Sequence, residues 1–271
     1  MGAGNLLGIR TRRRGVTRMP RRVLVSCVLG SAVAALAACA APGPPVPAPQ
    51  RATAPVSGAV PGALAGRVVP APRPFDRTAH STRAPASLWV IVNKTHPLPA
   101  SYRPDLRIVR GYQVAPPVVD PLTRLLEDAA GDGVRFKIAS AFRSFGYQRR
   151  VYGLEVARRG RAAADRVSAR PGHSEHQTGL ALDLVTPHDP GCDLEACFAG
   201  RPGGRWLAAH AWRYGFVVRY TAEAERVTGY RAEPWHLRYV GTSLARELHA
   251  TAATLEEFFD VPGGDYPRSR R

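Results

Sequence analysis

Ser174-Glu175-His176-Gln177-Thr178-Gly179-Leu180-Ala181-Leu182-Asp183-Leu184-Val185 passes from a turn into an alternation of leucine with small or acidic residues. The alternation predicts a strand in which Leu180, Leu182 and Leu184 share one face and Gly179, Ala181 and Asp183 the other. The leucines belong to a core. The opposite face is expected to be floored by residues with almost no side chain, so that a substrate backbone lies close to it, with Asp183 the one group there able to hold a metal. His176 enters from the preceding turn, and its neighbourhood, Arg170-Pro171-Gly172-His173-Ser174, reads as a loop. Loops held by a rigid sheet are where catalytic groups concentrate.

Further along, Glu233-Pro234-Trp235-His236 brings a second histidine and a second carboxylate. Pro234 imposes an extended or turn conformation on Glu233, so the helical arrangement of base and ligand in an HExxH motif is not available. Glu233 and His236 therefore approach a metal through strand and loop geometry. Taken singly, either histidine reads as an ordinary surface or core residue. Taken together, two neutral imidazoles and a carboxylate, His176, Asp183 and His236, form a three-ligand zinc set with an open fourth position, the arrangement of a catalytic rather than a closed structural site. One Zn2+ per chain is expected. With Asp183 already a ligand, Glu233 is the better base, a carboxylate outside the ligand set that can accept a proton from water. His173 and His176 have the spacing of an HxxH pair, but Asp183 completes the set, and His173 is read as a loop residue.

The remainder of this region mixes element types. Asp120-Pro121 opens a helix ending at Gly131. Val134, Phe136 and Ile138 alternate as a strand leading to Arg143, and Tyr147 to Arg159 is helical. Arg205 to Tyr214 is helical up to Gly215, Phe216-Val217-Val218 is a strand, His236 to Val240 another, and Thr254-Leu255-Glu256-Glu257 reads as a capping box for a closing helix. Helices grouped around a small antiparallel sheet make the expected class α+β.

Seven arginines and no acidic residue precede Val23, and the apolar run that follows, through the alanine-rich stretch to Ala38, reads as a signal peptide over residues 1–38. Its end, Leu36-Ala37-Ala38-Cys39, resembles a bacterial lipobox, which implies a lipidated Cys39 as the first mature residue. The expected location is the cell envelope, membrane-anchored through lipid alone and facing the wall. Residues 39–87 are rich in Pro, Ala and Gly, a composition unable to repay the entropy of folding, and are expected to be a semi-extended tether. Residues 88–262 are expected to form one domain and residues 263–271 a basic tail. Cys192 and Cys197 close a short loop that predicts a local disulfide in an oxidising compartment. The net charge of +17 falls to +10 without the seven leader arginines. A basic protein can bind nucleic acid, but export excludes that partner, and an anionic envelope is the natural counter-surface.

These residues resemble the zinc D-alanyl-D-alanine carboxypeptidases of the VanY type, within the wider group of VanX dipeptidases, lysostaphin-like peptidases and the hedgehog signalling domain. The family pattern S-x-H-x-x-G-x-A-x-D is met by Ser174, His176, Gly179, Ala181 and Asp183, and E-x-W-H by Glu233, Trp235 and His236. A third pattern, S-x-[YF]-R-S followed by Q, is met by Ser140, Phe142, Arg143, Ser144 and Gln148. The resemblance spans roughly residues 85–260. It implies a hedgehog/DD-peptidase-like fold and removal of the terminal D-Ala from peptidoglycan peptides ending in D-Ala-D-Ala; a monomer is expected, although the sequence itself does not fix the oligomeric state. Arg143 would offset charge on the tetrahedral intermediate or clamp the substrate carboxylate, Ser174 and Gln148 would hydrogen-bond substrate, and Trp235 would be either a core wedge or a pocket wall. An endopeptidase cutting peptidoglycan cross-links would use the same zinc set. A non-catalytic zinc-containing wall-binding module would have no need of Glu233.

Overall fold

The computed structural model describes residues 74–188 and 190–267. A hairpin comes first: β1 (Arg107–Val109) and β2 (Tyr112–Val114) pair antiparallel around Arg110-Gly111, both at positive φ, the two-residue turn that matches strand twist. Helix α1 (Val119–Gly131) buries Leu122, Leu125, Leu126 and Ala129, a stripe at helical spacing. Each buried leucine contributes about 1.5–3 kcal/mol. β3 (Lys137–Ser140) leads to α2 (Phe145–Arg159), whose first turn is capped by Ser144 Oγ accepting from Tyr147 N at 3.2 Å. The short α3 (Arg161–Ala164), β4 (Ala181–Val185), α4 (Pro202–His210), β5 (Phe216–Tyr220), α5 (Glu225–Thr228), β6 (Glu233–Tyr239), α6 (Thr242–Thr251) and α7 (Leu255–Phe259) follow. Thr254 and Glu257 form a reciprocal capping box at the start of α7, as expected. The fold is α+β.

Four strands form an antiparallel sheet in the order β3-β4-β6-β5. Leu182 pairs with Leu237 across β4 and β6, and with Leu180 and Leu184 they join Phe216, the α1 leucines and Trp206 and Leu207 of α4 in the main core. A second cluster, built from Trp89, Ile91, Val240, Leu244, Leu248 and Leu255, joins the segment before β1 to α6 and α7. Among the described residues no helix is long and apolar enough to cross a membrane.

Three expectations need correction. Gly179 and Ala181 do not floor an open face. Gly179 closes the 3-10 turn Glu175–Thr178 at φ +71, where a Cβ would lie 2.9 Å from Ala115 N, and Ala181 is fully buried opposite Arg238. Of that face, Asp183 reaches the cavity. The second correction concerns the ends of the folded body, which are wider than residues 88–262. Phe75 stacks on Trp89 at 5.5 Å and meets Phe258 edge-on, while Tyr266 takes a hydrogen bond from Arg170 N at 2.8 Å. Arg77 over the Phe258 ring and His80 edge-on to Trp89 add to this docking of the segment before residue 88. Third, the last strand begins at Glu233 rather than His236, and the strand near Ile138 at Lys137, so Val134 and Phe136 precede it. The signal peptide, Cys39 and residues 40–73 of the tether lie outside the described residues.

Candidate metal centre

Asp183 and His236 are directly opposite each other on β4 and β6, so their side chains leave the same face of the sheet. His176 arrives from the 3-10 turn that precedes β4. Its Nε2 lies 3.4 Å from Asp183 Oδ2, and His236 Nδ1 lies 3.2 Å from Asp183 Oδ1. Tetrahedral bonds of about 2.0–2.1 Å place ligand atoms about 3.3 Å apart, so the spacing suits one zinc ion. All three residues are buried, and their ligand atoms lie within 4.8 Å of one another. His176 Nε2 and Asp183 Oδ1 are buried without a hydrogen-bond partner. Such atoms are costly unless something else engages them, and a cation does.

Each imidazole is locked in the tautomer a ligand needs. His176 Nδ1–H donates to the Ala141 carbonyl at 2.6 Å, leaving the Nε2 lone pair for metal. His236 Nε2 donates to Glu175 at 3.3 Å, which frees Nδ1. Glu175 is fully enclosed. It accepts from Arg219 Nε at 2.9 Å and Arg238 Nη1 at 3.0 Å, and Arg219 in turn grips Glu256, which accepts from Asn93 Nδ2 at 3.0 Å. Burial acts to raise Glu175, but the two guanidinium charges hold it well below the usual carboxylate range. Glu175, Arg219 and Arg238 are functional residues that motif reading missed.

The metal-free electrostatics favour a cation. Burial works to raise Asp183, yet the two imidazoles keep it ionised far below its usual range. Burial, helped by the Arg143 charge, pushes His176 down to about 4, so it stays a neutral ligand. Burial opposes a charge on His236, but the neighbouring carboxylates of Asp183 and Glu175 hold it up at about 9. A dication held by His176, Asp183 and His236 would take the place of that proton.

Glu233 and His236 are three residues apart, a spacing that puts side chains on opposite faces of a regular strand. Here they converge because Val218 pairs with Leu237 while Tyr220 pairs with Glu233, a two-residue irregularity in β6 that also accommodates Pro234. Glu233 Oε2 lies 3.7 Å from His236 Nδ1, and Glu233 is outside the three-residue ligand group. Burial, with Asp183 and Glu175 adding to it against His236 and Arg143, pushes Glu233 up to about 7. That is the range of a general base working near neutral pH.

Arg143 follows β3 and is tied to the turn by its N–H, which donates to His176 O at 3.1 Å. Its Nε is buried without a hydrogen-bond partner, and its guanidinium makes no ion pair among the described residues. Arg143, Ser174 and Trp235 line one cavity of about 510 Å³ together with the three ligands and Glu233. Trp235 also packs against the main core, so it fills both roles considered for it. Gln148 is not on the cavity wall. It is buried and donates to Ala169 O at 2.7 Å, bracing the loop that carries Ser168 and Ala169 on that wall. His173 stands apart from the ligands, with Nδ1 2.8 Å from Asn93 O and its ring against Tyr266. Cys192 and Cys197 are joined as a disulfide.

A family model described as VanY, D-alanyl-D-alanine carboxypeptidase, matches residues 111–242. YodJ of Bacillus subtilis is 34% identical over 187 residues, 65% of this chain and 68% of its own length. Among solved structures, the D,D-pentapeptidase VanY from a VanB-type vancomycin resistance cassette, in complex with Zn(II), superposes with a TM-score of 0.55 at 32% identity, covering 62% of this chain and 97% of that one. The L,D-carboxypeptidase DacB of Streptococcus pneumoniae superposes with a TM-score of 0.55 at 41% identity over 65% of this chain and 89% of its own. The matched span contains His176, Asp183, Glu233 and His236 together with the strands that bring them to one place, and by that correspondence the chain belongs to the VanY family of D-alanyl-D-alanine carboxypeptidases.

Proposed function

We propose that the chain is a zinc carboxypeptidase that removes the terminal D-Ala from peptidoglycan stem peptides ending in D-Ala-D-Ala. The observation that carries the reading is the convergence of three buried ligand atoms beside a carboxylate poised near neutrality, in a cavity with a guanidinium that makes no ion pair among the described residues. His176, Asp183 and His236 hold the zinc, which when bound polarises the scissile carbonyl and acidifies water. Glu233 accepts a proton from the attacking water as the new C–O bond forms, then returns it to the leaving amine as the C–N bond breaks. Arg143 presents a permanent charge to the terminal carboxylate or to the developing oxyanion, and Ser174 offers a hydroxyl to the peptide backbone. Gln148 serves indirectly by holding the wall loop. Zinc occupancy of one per chain follows from the single ligand group among the described residues.

The 41% identity to an L,D-carboxypeptidase favours a second reading, release of D-Ala from an L-centre. Mass spectrometry of muropeptide digests separates the possibilities. Loss of one alanine from peptides ending in D-Ala-D-Ala supports the main reading, loss only from peptides carrying one terminal D-Ala after an L-residue supports the second, and scission of cross-links supports an endopeptidase. No change in any muropeptide by the zinc-loaded protein rejects all three.

The same reading places the enzyme outside the cytoplasmic membrane, where the stem peptides are. The basic and apolar leader with Cys39 at its end supports export and a lipid anchor, with a monomeric catalytic domain held on a Pro-rich tether. Cys39→Ser should disturb processing or release the protein from membranes, and unchanged processing and partitioning would reject lipidation.

A further inference from the structure

The cavity wall carries one apolar side chain held in a conformation that its residue type disfavours. Leu194 is 45% exposed and sits at φ +55, the left-handed region that costs a branched residue and suits glycine or asparagine. It is at the tip of the loop closed by the Cys192–Cys197 disulfide. Both feet of this loop are fixed. Cys192 is buried, and Phe198, one residue past the second cysteine, is fully buried in the main core. Between the feet, Asp193, Leu194, Glu195 and Ala196 all line the cavity that holds the zinc ligands, Glu233 and Trp235. Left alone, a four-residue tip with a strained leucine would relax and turn the side chain away. A covalent closure anchored in the core prevents that. Backbone outliers occur at turns and helix ends and also cluster at ligand sites, and Leu194 lies on a cavity wall.

We propose that Leu194 is a specificity-determining residue of the peptide site, an apolar wall held over the cavity by the Cys192–Cys197 bridge, and that its partner is an alanine methyl of the substrate beside the scissile bond. This rests on the carboxypeptidase reading above. The neighbours reinforce the assignment by contrast: Asp193 and Glu195 carry carboxylates and Ala196 a single methyl, so Leu194 is the largest apolar group at the tip and gains most from meeting a methyl. The disulfide acts through Leu194 and takes no part in the chemistry.

The test compares Leu194→Gly, Cys192→Ser/Cys197→Ser and the three changes combined, each with zinc content and thermal unfolding measured first. Leu194→Gly is compatible with φ +55 and should unfold no earlier than wild type. Its KM for a peptide ending in D-Ala-D-Ala should rise about tenfold with kcat within about twofold, the scale of losing one apolar contact to substrate. Its preference for alanine over glycine should collapse at one of the two positions flanking the scissile bond. The double serine variant should raise KM in the same way, and adding Leu194→Gly to it should change little, because the bridge and the side chain form one device. Equilibrium binding of the uncleaved peptide to zinc-loaded Glu233→Gln, with and without Leu194→Gly, gives the same comparison without turnover. If wild type cleaves the peptide while Leu194→Gly keeps its KM, its affinity and its alanine preference, the proposal is overturned and the carboxypeptidase reading stands. If wild type neither cleaves nor binds any such peptide, the carboxypeptidase reading itself fails.

Discussion

Glu175→Gln isolates the buried charge that orients His236. The native carboxylate faces Arg219 Nε at 2.9 Å, Arg238 Nη1 at 3.0 Å and His236 Nε2 at 3.3 Å, all fully enclosed. Arg219 keeps Glu256 after the substitution, at 2.6 Å. Among the described residues Arg238 has no second carboxylate and is left with the carbonyls of Leu88, Val90 and Tyr239. The change therefore strands about one buried cation. Removing one partner of a buried ion pair costs about 3–5 kcal/mol, and because glutamine keeps the volume and one acceptor oxygen the lower end, about 3 kcal/mol, is expected. For a domain of this size that corresponds to a fall in Tm of about 6–12 °C. Loss of the charged acceptor for His236 Nε2–H should separately weaken zinc binding by about 10–100-fold. Thermal unfolding of the metal-free protein and competition with a chelator read the two effects. The double variant Glu175→Gln/Arg238→Gln sharpens the test, since removing the stranded cation should recover part of the stability while zinc affinity stays low. Wild-type zinc affinity in Glu175→Gln would refute the orienting role, and recovery of zinc affinity in the double variant would show that the defect was only one of folding.

Other expectations follow from the same geometry. His176→Ala, Asp183→Ala and His236→Ala should each lose zinc as measured by metal analysis of the purified protein, because a three-ligand site loses its geometry with any one member. Full zinc content in all three would remove the assignment. Glu233→Gln should keep the metal while turnover falls by about two to four orders of magnitude, and zinc loss in that variant would make Glu233 a ligand instead. His236 is raised from 6.5 to about 9 in the metal-free protein, so its proton stabilises the fold fully below pH 6.5, and that contribution disappears as pH rises through 9. Denaturant titrations of metal-free protein should show stability declining over that interval and the zinc-loaded protein a flatter profile, since metal replaces the proton. An identical decline in both forms would contradict that replacement.

The ligand set was legible because its members sit on one strand, the turn before it and the strand paired to it, so short motifs carried them. What held the ligands was less legible, for two reasons. The acceptor for His176 is the carbonyl of Ala141, and a backbone atom leaves no trace in residue identity. Glu175 falls between Ser174 and His176, where nothing about a single glutamate announces burial. A signal existed in the arginines. Phe216-Val217-Val218-Arg219-Tyr220 and Leu237-Arg238-Tyr239-Val240 each place one cation within an apolar strand, and a buried guanidinium requires a buried carboxylate. Lys94, directly after Trp89-Val90-Ile91-Val92-Asn93, is a third cation beside an apolar run, though its carboxylate partner is exposed. It is fully buried, donates to Gly229 O at 2.6 Å and pairs with Asp265 at 3.2 Å. The motif brought Glu233 and His236 to one metal, but the way they converge was unreadable, because it depends on an irregularity in pairing between β5 and β6 rather than on either strand alone.

These buried cations also explain why the folded body extends beyond residues 111–242, the span matched by the family model. His236 is oriented by Glu175, Glu175 is charged because Arg219 and Arg238 enclose it, and each arginine is completed from outside that span. Arg238 Nη2 reaches the carbonyls of Leu88 and Val90 at 3.1 and 2.8 Å, and Arg219 is neutralised by Glu256 at the start of α7. Asn93 then links Glu256 to the carbonyl of Pro262, joining the two outer segments to each other. An isolated core ending at residue 242 would leave both guanidiniums with one carboxylate between them and Arg238 with unmet donors in a dry interior. The segments before β1 and after α6 are therefore parts of the metal site at one remove, and they act through the same Nδ1 lone pair that the zinc must find.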